Sequence, residues 1–230
     1  MSAMARLTAV VALVVLLPSA GWTGVADPGG PFGFALISPE RAAALRDLTA
    51  SPPRAAAIRA ADRVLSRTPH AMRRVHVEGT LPGRGIYDES AEALKDLPAA
   101  RALALAGRLT GEARYVEAAR NLLKAWIEIY RVSFNPIDET SFDSLFVAWD
   151  LLPTASRPGL GPGYGGLLRA FSEGYLARPL RGGTATNNWN SHRVKLIVLS
   201  ALALGDADLI VRARQAYVAQ LARSIHQAKG

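Results

Sequence analysis

Seven consecutive residues, Asn187-Asn188-Trp189-Asn190-Ser191-His192-Arg193, hold three amides, one titratable ring and one permanent cation just ahead of an apolar run. Neutral donors beside an imidazole and a guanidinium suit two tasks, holding an anion and moving a proton. Spacing sharpens this. If a helix begins near Asn188, then Asn188 and His192 are i and i+4 and share a face, with Cβ atoms about 5–6 Å apart. A helix start also offers unpaired N–H groups and the positive end of the dipole to an anion. Arg193 or Lys195 adds positive charge beside them. The same residues fit a plainer reading, in which Asn187 or Asn188 caps the helix, Trp189 packs in the core and His192 is an ordinary histidine.

Other stretches are weaker candidates. The segment with His76, Glu78, Thr80, Arg84 and Tyr87 is polar, basic and hinged by glycine. It reads either as a lid or cleft wall, with Arg84 touching a ligand, or as a plain surface loop. Asn135 to Glu139 reads as a turn with capping acids, because Asn-Pro and Asp favour such a boundary. Gly161-Pro162-Gly163-Tyr164-Gly165-Gly166 satisfies G-x-G-x-x-G, yet no strand precedes it and Pro162 interrupts it, so a loop with a structural Tyr164 is expected. The four histidines (His70, His76, His192, His226) lack H-E-x-x-H spacing and a carboxylate set nearby in sequence. No metal site is expected, and no nucleotide or redox cofactor.

The elements that must position these residues are helical throughout. Ser38-Pro39-Glu40 is an N-cap, an N1 proline and a first-turn acid, and opens a helix through about Leu48. Further helices are expected at Arg54–Arg67, Glu89–Leu109, Glu112–Tyr130, Glu139–Leu152, Leu167–Leu176, Ser191–Leu204 and Asp206–Ile225. Residues 69–85 break the pattern. In the 112–130 segment Tyr115, Ala119, Leu122, Trp126 and Tyr130 form a stripe, widened by Val116, Leu123 and Ile127. Leu109-Thr110-Gly111-Glu112 parallels Leu204-Gly205-Asp206: a helix ends at glycine and an acid opens the next. Repeated helix–turn–helix units predict an all-α array of antiparallel hairpins, a solenoid or an α/α toroid.

Composition sets outer limits. Arg6, the apolar run Leu7–Leu17, Pro18 and the small residues ending at Gly24-Val25-Ala26 have the layout of a signal peptide over residues 1–26. An apolar run this short falls well below the roughly 20 residues that span a bilayer. One exported domain, residues 27–230, is expected in the periplasm or outside the cell, with no stable membrane insertion once the leader is cleaved. The chain has no cysteine, so disulfides and thiolate metal sites are excluded. The formal net charge of +8 attracts anionic partners, although four lysines among 27 basic residues also fit a GC-rich coding bias.

The Asn187–Arg193 cluster resembles the Asn-Asn-His region of the alginate lyase family of polysaccharide lyases. So do Leu103–Gly111 with Tyr115 and Trp126, and Ser133-Phe134-Asn135-Pro136-Ile137-Asp138-Glu139-Thr140 leading into Ala148-Trp149-Asp150-Leu151. The likeness spans about Val75 to Leu221. It implies an α/α toroid and β-elimination on a uronate-containing, alginate-like polysaccharide, with no cofactor and no nucleic-acid partner. Asn188 matches the family's catalytic asparagine. The next position is Trp189, and the only nearby histidine is His192, one turn later. The resemblance thus makes Asn188 and His192 catalytic, and Asn187, Trp189, Arg193 and Arg84 substrate-binding. The family's arginine and catalytic tyrosine lie further toward the C-terminus, and none of Tyr87, Tyr164, Tyr175 or Tyr217 matches the latter. The expectation is an incomplete, C-terminally truncated toroid with weak or no lyase activity. The alternative is a non-catalytic helical module that binds acidic carbohydrate.

Overall fold

Gly111 and Gly205 each close a long helix in the left-handed conformation, at φ of 77° and 68°. Glycine carries no Cβ penalty there, and the Gly111 N–H reaches the Gly107 carbonyl at 2.9 Å, satisfying an orphan acceptor. Both reversals fall where the repeated pattern places them. The computed structural model describes residues 32–224, and the expected leader and its cleavage site lie outside them. Within that span the α-helices are α1 (Pro39–Ala44), α2 (Pro52–Asp62), α3 (Tyr87–Leu94), α4 (Asp96–Thr110), α5 (Ala113–Ile129), α6 (Phe142–Leu151), α7 (Gly161–Leu176), α8 (Asn188–Leu204) and α9 (Ala207–Ser224). No strand occurs among the described residues.

Helix α4 packs on α5 and α6, α6 on α8, and α8 on α7 and α9, while α5 touches α7 and α7 touches α9. Alternate helices therefore form two layers, α4–α6–α8 and α5–α7–α9, the layering of an α/α toroid. Burial follows. All of α6 except Asp143 is buried, as an apolar helix between neighbours must be. Helix α5 instead buries one stripe, Tyr115, Ala119, Leu122, Leu123, Trp126 and Ile127. Edge and tilted ring contacts link Trp126, Tyr130, Phe142 and Phe171 across three helices. Each fully buried large apolar side chain contributes about 1.5–3 kcal/mol.

Several expected boundaries shift, and α2 ends at Asp62 rather than at the expected Arg67. Residues 161–166 are not a loop but the first turns of α7. Proline is tolerated in a first turn, where its missing N–H would be unpaired anyway. The glycines serve packing, since a Cβ on Gly163 would lie 2.7 Å from Ile127 Cγ2. The expected 89–109 helix divides at Lys95 into α3 and α4. Helix α6 starts at Phe142, because turns occupy residues 136–141. Helix α8 starts at Asn188, not Ser191.

Asp150 ties the segment before α1 to α6. Its carboxylate accepts the Ala35, Leu36 and Ile37 N–H groups at 3.0, 2.8 and 2.9 Å. Asp150→Ala should lower the unfolding free energy by at least about 2 kcal/mol, because three donors lose their acceptor. Chemical denaturation checks it. Burial raises the Asp150 carboxyl to about 6, against those same donors. A carboxyl raised in the folded state contributes fully below its ordinary value near 3.8 and progressively less as pH climbs through about 6. The wild-type thermal midpoint should therefore fall between about pH 4 and about pH 7 more steeply than that of Asp150→Asn. Equal slopes would remove Asp150 as the source.

Candidate active site

Asn187 Oδ1 accepts the Trp189 N–H at 2.9 Å, which makes Asn187 the cap of α8 and Asn188 its first residue. The structure thereby chooses between the two amides. Asn188 is exposed, and Trp189 and His192 are half-buried. Side chains step by about 100° per residue along a helix, so His192 stands about 40° from Asn188 and Lys195 about 20° away on the other flank. These three share a face.

Arg193 does not. It lies about 140° round the helix from Asn188 and is buried. Its Nε and Nη2 donate to the Tyr175 carbonyl at 3.0 and 2.7 Å, and Nη1 donates to Asn190 Oδ1 at 3.1 Å. Arg193, expected to bind substrate, is thus engaged with protein partners away from the Asn188 face. Asn190 in turn donates to the Ala185 carbonyl and to Gln220 on α9. Asn190 and Arg193 thus clamp α8 to its neighbours, and the cation on the Asn188–His192 face is Lys195.

Lys195 reaches across to the turn before α6. Its Nζ donates to the Thr140 carbonyl at 2.7 Å, to Thr140 Oγ1 at 2.9 Å and to Asp143 Oδ2 at 2.9 Å. Thr140 Oγ1 also lies 2.6 Å from His192 Nδ1. Burial, and then the Lys195 charge, hold the His192 imidazole below its usual pKa, so the ring is neutral at neutral pH.

That turn, residues 133–140, is the hub of the site. Asn135 Oδ1 accepts the Ile137 and Asp138 N–H groups at 3.0 and 3.3 Å, the turn role expected of it. Phe134 is held at φ 65°, a backbone strain of about 1–3 kcal/mol for a bulky residue. Its ring lies on Gly174, where a Cβ would come within 2.4 Å, and the Arg178 guanidinium covers it at 4.0 Å. Glu139 caps no helix. Fully buried, it accepts from the Tyr130 and Tyr175 hydroxyls and from the Ser133 N–H and hydroxyl.

On the other flank Asp138 Oδ1 accepts the Val77 and Glu78 N–H groups at 2.8 and 2.7 Å. Its Oδ2 stands 3.0 Å from His76 Nδ1. His76 was expected only in a lid or cleft wall or in a plain surface loop, and no spacing motif joins it to an acid 62 positions away. Asp138 and Thr140 are two residues apart, so their Cα atoms lie within about 7 Å. One short turn therefore anchors both imidazoles, His76 from the 69–86 segment and His192 from α8. The loop beyond His76 bends at Gly79, Gly83 and Gly85, all at positive φ with open space around them. Arg84 sits exposed between two of these hinges.

Two clefts lie elsewhere. One, of about 590 Å³, is bounded by Phe32, Trp149, Arg157 and the start of α7, and the other by Ile127, Arg131 and Gly163. Asn188 and His192 line neither of them. Among the described residues no three His, Asp or Glu side chains gather to hold a metal ion, and no helix is long and apolar enough to cross a membrane.

Residues 46–230 match the model of the alginate lyase family. The chain belongs to the alginate lyase family. Comparison with curated proteins and with solved structures gives no match. In this alginate lyase family chain the Tyr130 and Tyr175 hydroxyls are both committed to Glu139. Burial, then the Glu139 charge, push the Tyr130 and Tyr175 hydroxyls far above the usual phenol range. Tyr164 is stacked on Trp149 inside the core, in the structural place expected for it, and burial raises it as well.

Proposed function

We propose that this chain cleaves a uronate-containing, alginate-like polysaccharide by β-elimination. The observation that carries the reading is the face shared by Asn188, His192 and Lys195 at the start of α8 in a member of this family. Elimination removes the proton α to a uronate carboxylate and expels the sugar oxygen at C4. That proton is a poor acid until the carboxylate charge is neutralised as the enolate-like state develops. The exposed Asn188 amide and the first-turn N–H groups of α8 supply fixed donors for this purpose. His192 adds a ring beside the amide, and Lys195 brings positive charge behind both.

Trp189 flanks the carboxylate position and stacks on a sugar ring, and the free amide nitrogen of Asn187 extends the donor edge. Arg84, on its glycine-hinged loop, binds a neighbouring uronate. Arg193 supports the site from beneath by fixing α8 against α7. The partner is an acidic polymer rather than nucleic acid. No redox or nucleotide cofactor enters the reaction, and the leader delivers the protein to the periplasm or beyond, where such polymers are met.

Mass spectrometry of products from several polyuronates tests the reaction type. Elimination gives oligosaccharides one water lighter than hydrolysis does. Hydrolytic masses would contradict the proposal, and binding without any product would favour a carbohydrate-binding module.

A further inference from the structure

Among the described residues Phe134 alone, apart from glycines, holds a left-handed backbone. Such strain persists only where the surroundings enforce it, and it gathers at active sites and ligand clamps. Two contacts enforce it here. The ring lies over Gly174, where a Cβ would collide with it, and meets the Tyr175 ring edge-on at 5.5 Å. What the strained residue presents is a cation. The Arg178 guanidinium rests 4.0 Å from the centre of the Phe134 ring, and its Nη1 donates to the Gly174 carbonyl at 3.1 Å.

Arg178 is exposed, and among the described residues no carboxylate pairs with it. Arg67, Arg114 and Arg169, by contrast, are each paired with an acid. The Gly174 bond uses one of the five guanidinium donors. Stacking already fixes the plane of the others, so a carboxylate that takes two of them orders little that is not ordered beforehand. Two paths tie this cation to the Asn188 helix. The Arg178 N–H and Arg193 Nη2 both donate to the Tyr175 carbonyl, at 3.2 and 2.7 Å, so the end of α7 meets α8 about 7.5 Å along its axis from Asn188. From the other side, the Glu139 N–H closes the turn onto the Asn135 carbonyl at 3.1 Å, which keeps the Phe134 and Thr140 Cα atoms within about 14 Å. Thr140 in turn touches His192.

We infer that Arg178, held flat by Phe134, binds a further uronate carboxylate, on a sugar flanking the one at Asn188, and so makes the site prefer longer acidic chains. The inference rests on the lyase reading given above, which places the cleaved sugar at Asn188. Arg178 takes part in binding alone and has no share in the proton transfers. Phe134 is a positioning residue, because it acts through the plane of the guanidinium.

The test is titration calorimetry with steady-state kinetics on the full chain, using alginate oligosaccharides from disaccharide to hexasaccharide. Arg178→Gln should weaken hexasaccharide binding by about 10-fold or more, with the loss in Kd and KM rather than in kcat. That loss should shrink on the disaccharide and on a hexasaccharide with esterified carboxylates. Arg178→Lys keeps the charge without the planar fork and should recover only part of the affinity. Phe134→Leu should lose affinity although Arg178 remains. Arg181→Gln removes an exposed charge three positions on and should matter little. Circular dichroism confirms folding of each variant. Hexasaccharide affinity unchanged in Arg178→Gln would overturn the assignment, as would an equal loss in Arg181→Gln or an equal loss at every chain length. Wild-type binding without unsaturated product would sink the lyase reading alone, because the Arg178 comparison is read from binding. A wild-type chain that binds none of the oligosaccharides would overturn both.

Discussion

Glu139→Ala is expected to lower the unfolding free energy by roughly 3–5 kcal/mol. Glu139 is fully buried and is the acceptor for the Tyr130 and Tyr175 hydroxyls and for Ser133. Alanine leaves those donors in the core without a partner, each at a cost of about 1–3 kcal/mol, and opens a void between α5 and α7. Glu139→Gln keeps one acceptor oxygen and should cost much less. Burial raises the Glu139 carboxyl, against the four donors that hold it charged. Its contribution to stability is then fullest at low pH and declines as pH rises through the raised value, a decline that Glu139→Gln should lack. The turn that Glu139 anchors also carries Asp138 and Thr140, so both imidazoles lose their footing in Glu139→Ala. Urea denaturation of the three proteins decides the matter: alanine within about 1 kcal/mol of wild type would show that the cluster is not a structural anchor.

Asn188→Ala is expected to slow turnover by about 2.7–4 kcal/mol, on the order of 100- to 1,000-fold, if its amide acts on the developing charge as an oxyanion donor does. Stability should barely move. Asn188 is exposed and the helix cap is made by Asn187, so no cap is lost. The loss should fall on kcat more than on KM, because the interaction strengthens only as the enolate-like charge develops. Asn187→Ala supplies the contrast, with about 1 kcal/mol of stability lost through the missing cap. An unchanged rate in Asn188→Ala would reduce that residue to an exposed first turn.

Much of the framework is legible in the sequence because its causes are local. The α5 stripe at i, i+4 and i+7, the Ser38-Pro39 start and the Gly111 and Gly205 reversals each depend on a few adjacent residues. The start of α7 was misread because glycine and proline act as breakers in most contexts. Here proline occupies a permitted first turn and Gly163 makes room for Ile127. Half of the site was legible for the same local reason: Asn188 and His192 lie one turn apart on one helix. Arg193 was grouped with them by proximity along the chain, although a step of about 100° per residue turns it to the opposite side. Lys195, two positions on, returns to the shared face. His76 with Asp138, and Glu139 with Tyr175, are joined only by the fold, across 62 and 36 positions. No periodicity in one sequence encodes such pairs.

The central claim is that the face bearing Asn188, His192 and Lys195 supports elimination from a uronate polymer. Ultraviolet absorbance of the full chain incubated with a panel of polyuronates tests it most directly, because elimination creates a C4=C5 double bond conjugated to the carboxylate. The account predicts a steady rise with at least one polyuronate, reduced on the order of 100-fold or more in Asn188→Ala. A flat trace across the whole panel, from protein shown by circular dichroism to be folded and helical, would contradict it.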